Sequence, residues 1–159
     1  MHLALYQPDI PQNTGAMLRL AACFGLPVDV IEPTGFVFGE ARMRRAGMDY
    51  WNKVVIRRFP DWESFAAERR QAGSRLVLMT TKSTLIYTDF GFRRGDTIIM
   101  GRESAGVPDS VHESCDARLK VPMVEEVRSL NVAQTAAIAV AEGLRQIKAF
   151  PGMSASVGL

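Results

Sequence analysis

Short apolar runs alternate with longer, partly polar segments along the whole chain. The runs at 2–7, 28–31, 53–59, 75–81, 97–100 and 117–121 predict six β-strands. The run Leu76–Met79 is apolar at every position, which is typical of a strand buried on both faces of a parallel sheet. Because predicted helices stand between the strands, the pattern indicates an α/β fold with a mostly parallel sheet and helices on both faces.

Helices are predicted at 14–24, 40–46, 62–72, 108–114 and 130–148. Asn13 is expected to cap the first helix and Gly25 to end it. Ser129 or Asn131 would cap the last helix, and Asn131 with Gln134 fits the spacing of a capping box.

The first helix is apolar on almost every side, and Arg19 is its one charged residue. A helix of this composition is expected to be buried on most sides. A buried guanidinium needs either a partner or a function. Arg19 is therefore either an ion-pair residue at a subunit or sheet contact, or a functional group.

The last helix has two apolar faces. One consists of Leu130, Ala133, Ala137, Val140, Leu144 and Ile147, and the other of Val132, Ala136, Ala139 and Gly143. One face is expected to pack on the sheet, and the small residues of the other would let a second helix approach closely. The pattern favours a homodimer contact, and the alternative is a helix packed between other elements of the monomer.

Length and composition indicate one globular domain at 1–150, followed by a flexible C-terminal tail at 151–159. The chain has 159 residues, of which 47% are hydrophobic and 23% charged. It contains no apolar run of membrane-spanning length and no cationic, signal-like N-terminus, so a cytoplasmic location is expected. Cys23 and Cys115 have no second metal ligand at a suitable spacing, and both are expected to be small core residues.

The net charge is only +2, but the arginines are clustered. They fall at 42–45, 57–58, 69–70 and 93–94. Arginine is well suited to bidentate phosphate contacts, so the clusters are compatible with a nucleic-acid partner. The alternative is a set of solvated helix and loop faces.

Three polar segments at the end of a strand or the start of a helix carry the candidate chemistry, at 13–19, 101–108 and 122–131. The second follows the apolar run Thr97–Met100 and places Arg102, Glu103 and Ser104 between Gly101 and Gly106. Open α/β sheets bind ligands at such strand-to-helix loops. Ordinary β–α connections also need glycine, proline and capping residues, so the segment 101–108 taken alone favours a purely structural role.

Taken together, the three segments carry N-x-G-x-x-x-R, G-x-E-x-x-G-x-P and P-M-x(5)-S-L-N-V-A, and this combination resembles the SPOUT class of RNA methyltransferases. Three further pieces, at 10–15, 31–36 and 44–50, are similar to the small, single-domain tRNA 2′-O-methyltransferases that modify a wobble cytidine or uridine. The resemblance extends over nearly the whole chain except the C-terminal tail.

The resemblance implies a dimeric enzyme that uses S-adenosylmethionine (AdoMet) and whose C-terminal half forms a trefoil knot. Its partners would be tRNA and a second copy of the chain, joined through the first and last helices, with no metal and no membrane. The implied cofactor contacts are Met79, Thr80, Gly101, Glu103, Gly106, Val121, Met123, Ser129 and Leu130.

The resemblance also gives roles to the polar residues. Arg19 would activate the ribose 2′-hydroxyl, as a base or as an electrostatic stabiliser, while Ser129 and Asn131 would orient the ribose or the cofactor. The RNA contacts would be Asn13, Arg19, Arg42, Arg44, Arg45 and Arg128. Two other functions remain open: 2′-O-methylation of a different tRNA or rRNA ribose, and RNA binding without catalysis.

Overall fold

The computed structural model describes residues 1–45 and 51–152 of the chain. The strands are β1 (His2–Tyr6), β2 (Val28–Ile31), β3 (Ile56–Phe59), β4 (Leu76–Met79), β5 (Thr97–Met100) and β6 (Ala117–Leu119). The helices are α1 (Pro11–Phe24), α2 (Glu40–Arg45), α3 (Trp62–Gln71), α4 (Asp109–Ser114) and α5 (Val132–Gln146), with 3₁₀ turns at Trp51–Lys53 and Tyr87–Asp89. The segment 46–50, part of the sequence resemblance, and residues 153–159 of the predicted tail lie outside the described residues.

The six strands form one sheet in the order β3-β2-β1-β5-β4-β6, and every pair of neighbours is parallel. This confirms the predicted α/β class. The carboxyl ends of all the strands therefore lie at the same edge of the sheet. Strand order reverses between β1 and β5, and such a reversal is where open α/β sheets form a ligand-binding crevice.

The sheet separates two apolar layers. On one side α1 and α5 pack on the strands, with Leu18, Val140 and Phe92 in the core. On the other side α3 and α4 cover the sheet, with Phe65 and Val111 in the core. Within residues 1–45 and 51–152, every helix is too short or too polar to cross a lipid bilayer.

Helix α1 begins earlier than predicted, so Asn13 is not its cap. Pro11 occupies the first turn, where its missing N–H costs nothing, and Ile10 stands at the cap position without a side-chain hydrogen bond. Gly25 ends the helix with φ 66°, as predicted. The Asn13 side chain is thereby released for contacts outside its own helix.

Two expectations about burial in α1 are wrong, because Arg19 and Cys23 are both exposed in the single chain. The helix buries one side, formed by Thr14, Gly15, Met17, Leu18 and Ala21, and turns the other outward. The expectation for Cys115 is confirmed, and burial raises the pKa of its thiol to about 12.

The small-residue face of α5 lies inside the chain. Ala136, Ala139 and Gly143 are buried, and a Cβ on Gly143 would lie 3.5 Å from Phe92 Cδ1 and closer still to Met1. The expectation that this face forms the homodimer contact is therefore wrong. The small residues let the N-terminus and the loop before β5 approach the helix.

Candidate active site

A cavity of about 480 Å³ opens at the carboxyl edge of β4 and β5. Its walls include residues from all three polar segments and from the start of α5. Every residue predicted to bind a cofactor lines it, namely Met79, Thr80, Gly101, Glu103, Gly106, Val121, Met123, Ser129 and Leu130. Asn13 and Asn131 also line it, so the fold brings together motifs that are far apart in sequence.

The loop 101–106 is closed by two reciprocal hydrogen bonds. The Arg102 N–H donates to the Gly106 carbonyl (2.9 Å), and the Gly106 N–H donates to the Arg102 carbonyl (2.8 Å). Gly106 has φ 67°, a conformation that favours glycine. A Cβ on Gly101 would lie 3.0 Å from Gly106 Cα, so both glycines are needed to keep this turn tight.

Asn131 joins the start of α5 to the start of α1. Its Oδ1 accepts hydrogen bonds from the N–H groups of Ala133 (2.8 Å) and Gln134 (3.4 Å), which confirms the capping prediction. Its Nδ2 donates to Asn13 Oδ1 at 2.9 Å. Capping of α5 therefore also fixes the asparagine pair at the cavity wall.

Glu103 is the ionisable group whose environment in the cavity is most unusual. Burial raises the pKa of its carboxyl, and a side-chain hydrogen bond to Asp9 raises that pKa further. The Asn13 side chain acts in the opposite direction. The pKa of Asp9 is lowered, first of all by the hydrogen bond from Glu103. Of the two carboxyl groups, Asp9 is therefore the one that ionises first as pH rises, and Glu103 is the one that keeps its proton to higher pH.

The model of the SpoU rRNA Methylase family matches residues 1–141 of the chain. The chain belongs to this family. A relative from Beijerinckia indica subsp. indica, named tRNA (cytidine(34)-2′-O)-methyltransferase, is 53% identical over 147 residues, which cover 92% of each chain.

Two solved structures extend the comparison. One, described as giving structural insights into the 2-OH methylation of C/U34 on tRNA, has a TM-score of 0.85 and 38% identity, covering 91% of this chain and 94% of that chain. The other is an AdoMet-bound rRNA methyltransferase from Sinorhizobium meliloti, with a TM-score of 0.82 and 25% identity. That match covers 91% of this chain and 55% of that one.

Three of the predicted RNA-binding arginines have described side chains, and these three lie outside the cavity. Arg19 is exposed on α1 and Arg128 is exposed on the loop before α5, and neither lines the cavity. Arg44 is exposed and forms an ion pair with Glu40 (2.8 Å). The side chains of Arg42 and Arg45 lie outside the described part of the chain.

Sequence reasoning missed two residues at the site. His112 lines the cavity from α4, and its Nε2 is buried without a hydrogen-bond partner among the described residues. Asp9, just past the end of β1, contacts Glu103 and Ser104 of the loop 101–106. The signal for Asp9 was an acid just past the carboxyl end of a strand that neighbours β5. His112 sits in a helical segment that gave no signal of its own.

The described residues contain no group of three His, Cys, Asp or Glu side chains suited to holding a metal ion.

Proposed function

We propose that this chain is an AdoMet-dependent tRNA methyltransferase that methylates the ribose 2′-hydroxyl of the wobble nucleotide, cytidine or uridine 34. The observation that carries the proposal is the cavity, which is lined by residues from all three motifs of the resemblance. The relative that is 53% identical over 92% of both chains is named for this reaction at cytidine 34. A tRNA substrate would place the protein in the cytoplasm.

The cavity suits AdoMet in size and lining. Its volume of about 480 Å³ lies within the usual range for small-molecule sites. Leu78, Val121 and Leu130 provide apolar surface for the flat adenine, and the backbone of the loop 101–106 can approach the ligand closely. When bound, AdoMet would supply a methyl group already activated by its sulfonium, so the chain's own residues need only orient and deprotonate the alcohol.

The polar residues divide into two groups by position. Ser129, Asn131 and Asn13 line the cavity, where they would orient the ribose or the cofactor. Positioning of this kind supplies a large part of the rate in a methyl transfer. Arg19 would activate the 2′-hydroxyl or stabilise its developing charge. Because Arg19 projects from the outward side of α1, we propose that it serves the cavity of a second copy.

That second copy would dock on the outward side of α1, where Ala16, Arg19 and Cys23 are exposed in the single chain. The half-buried outward residues of α5, such as Ala137 and Ala141, would complete the interface. This homodimer still uses the first and last helices, but it leaves the small-residue face of α5 inside each chain.

We also propose that the C-terminal half forms the trefoil knot of the SPOUT class. The loop after β4 pairs with the end of β6, since Tyr87 N–H donates to the Lys120 carbonyl (3.0 Å) and Lys120 N–H donates to the Leu85 carbonyl (2.9 Å). The same loop is bonded to α5, where the Phe92 N–H donates to Gln146 Oε1 (2.9 Å). The chain would pass beneath this loop on its way from β6 to α5.

The decisive experiment is incubation of the purified protein with tRNA and methyl-labelled AdoMet, followed by nucleoside mapping. The expected product is a 2′-O-methylated cytidine or uridine at position 34. Label at another tRNA position, or in rRNA alone, would favour the alternative substrates. AdoMet binding without transfer to any RNA would indicate an RNA-binding protein that does not catalyse.

Binding of tRNA should depend strongly on salt, because a single-domain enzyme must hold the RNA through its own arginines. With about four phosphate contacts, the affinity is expected to fall by roughly a hundredfold between ~50 and ~200 mM salt. Arg44→Ala should weaken binding and reduce the slope of log affinity against log salt by about one. Filter binding or fluorescence anisotropy measures both quantities.

Arg145→Ala is the matched control, because Arg145 is also an exposed helical arginine paired with an acid of its own helix. Its slope should equal that of the unaltered protein. If the affinity for tRNA did not change with salt, RNA binding through the exposed arginines would be ruled out.

A further inference from the structure

The loop 101–106 is the proposed cofactor loop. Three of its consecutive residues form hydrogen bonds with the short segment that follows β1. Arg102 Nε donates to the Gln7 carbonyl at 3.2 Å. The Asp9 N–H donates to Glu103 Oε2 at 3.0 Å, and Ser104 Oγ donates to Asp9 Oδ2. Asp9 therefore contacts the cofactor loop through both its backbone N–H and its side-chain carboxylate.

The loop that follows β2 also contacts Asp9 and its neighbour Pro8. The Gly35 N–H donates to the Pro8 carbonyl at 2.9 Å. A Cβ on Gly35 would lie 2.6 Å from Asp9 Cβ and 2.9 Å from Asp9 Cα, so only glycine permits this contact. The Asp9 side chain consequently has little freedom to move away from the cofactor loop.

The carboxyl groups of Asp9 and Glu103 are paired inside this junction. Asp9 Oδ1 and Glu103 Oε1 are both buried, and neither has a hydrogen-bond partner among the described residues. A proton on Glu103 would satisfy both groups. The nearby cation is Arg102, whose Nε lies 3.8 Å from Asp9 Oδ2. The uncharged groups that face the pair are Ser104 and Asn13.

We propose that Asp9 is a positioning residue, which fastens residues 102–104 to the segment leading into α1 and so keeps the cofactor loop in its binding conformation. The inference rests on the proposed function, because it takes AdoMet as the ligand of the cavity. Asp9 does not line the cavity and acts through Glu103 and Ser104. The same fastening fixes the cofactor loop relative to Asn13, since α1 begins at Pro11.

The test is the dissociation constant of AdoMet, measured by calorimetry from about pH 5 to 9 without RNA. Asp9→Asn keeps the side-chain shape but cannot hold the Ser104 hydroxyl and the Glu103 proton together. It is expected to raise the dissociation constant about fivefold at pH values below the raised pKa of Glu103. In the unaltered protein, binding should weaken as pH rises through the raised pKa of Glu103, because two adjacent carboxylates then repel each other.

In Asp9→Asn this inflection should move to lower pH, because the charge that raises the Glu103 pKa is gone. A residue that merely supported the fold would leave the inflection in place. Asp89→Asn, an exposed aspartate outside the cavity lining, is the matched control and should bind as the unaltered protein does. Ser104→Ala provides a second variant at an exposed position, with an expected rise of about threefold.

If both variants bind AdoMet within twofold of the unaltered protein and the inflection stays in place, the inference is overturned while the proposed function stands. If the unaltered protein does not bind AdoMet at all, the proposed function and the inference are both overturned.

Discussion

Replacing Arg19 with alanine is expected to lower kcat for methyl transfer to tRNA by about a hundredfold to a thousandfold. The affinity for AdoMet should stay within about twofold, because Arg19 does not line the cavity. The physical reason is that an alcohol is a poor nucleophile, and a guanidinium beside it stabilises the negative charge that develops on oxygen. Single-turnover kinetics with labelled AdoMet measure the first quantity, and calorimetry measures the second.

Arg19→Lys separates charge from shape at the same position. Lysine keeps the positive charge but loses the planar fork that can hold an oxygen and a neighbouring phosphate together. We expect it to recover only a small part of the lost rate. Full activity in Arg19→Lys would reject a specific role for the guanidinium and leave simple electrostatic stabilisation.

Mixed dimers test whether Arg19 serves the partner's cavity. One chain would carry Arg19→Ala with an intact cavity, and the other Gly101→Val with an intact Arg19. In a shared site, the first chain's cavity receives the second chain's arginine, so an equal mixture should recover about a quarter of the unaltered activity. A mixture as inactive as its components would show that Arg19 acts within its own chain.

The parts of the fold that sequence reasoning predicted well are those fixed by local chemistry. Val28–Ile31 and Thr97–Met100 were predicted with the observed bounds, because each is a short, mainly apolar run that is followed by a turn signal. Gly25 was predicted to end α1, because few residues other than glycine adopt a positive φ at low cost. Asn131 was predicted as a cap from its spacing before an apolar helix.

The failures have a common cause, which is that periodicity does not say which side of an element meets the core. Arg19 was expected to be buried because its neighbours are apolar, yet α1 turns that side outward. The small face of α5 was assigned to a partner because the approach of Met1 and Phe92 depends on tertiary structure. Asp9 and His112 reach the site only through the sheet order, which no local pattern encodes.

Substitution of Gly101 in the cofactor loop is also expected to have a large effect on AdoMet binding. Gly101→Val is expected to weaken AdoMet binding by about tenfold to a hundredfold, measured by calorimetry. A Cβ at this position would lie 3.0 Å from both Cα and the carbonyl carbon of Gly106 and 3.2 Å from its oxygen. These contacts are with backbone, which cannot rotate aside as a side chain would. The loop must therefore open, and the reciprocal hydrogen bonds between Arg102 and Gly106 would be lost.

Gly91→Ala is the matched control, because a Cβ there would meet nothing within 4 Å and the residue does not need a positive φ. It should bind AdoMet as the unaltered protein does. The thermal midpoint of each variant should be measured as well. The strain in Gly101→Val is confined to a loop, so we expect it to lower the folding stability less than it lowers the affinity for AdoMet. If Gly101→Val bound AdoMet with unchanged affinity, the close approach of the two glycines would have no part in holding the cofactor.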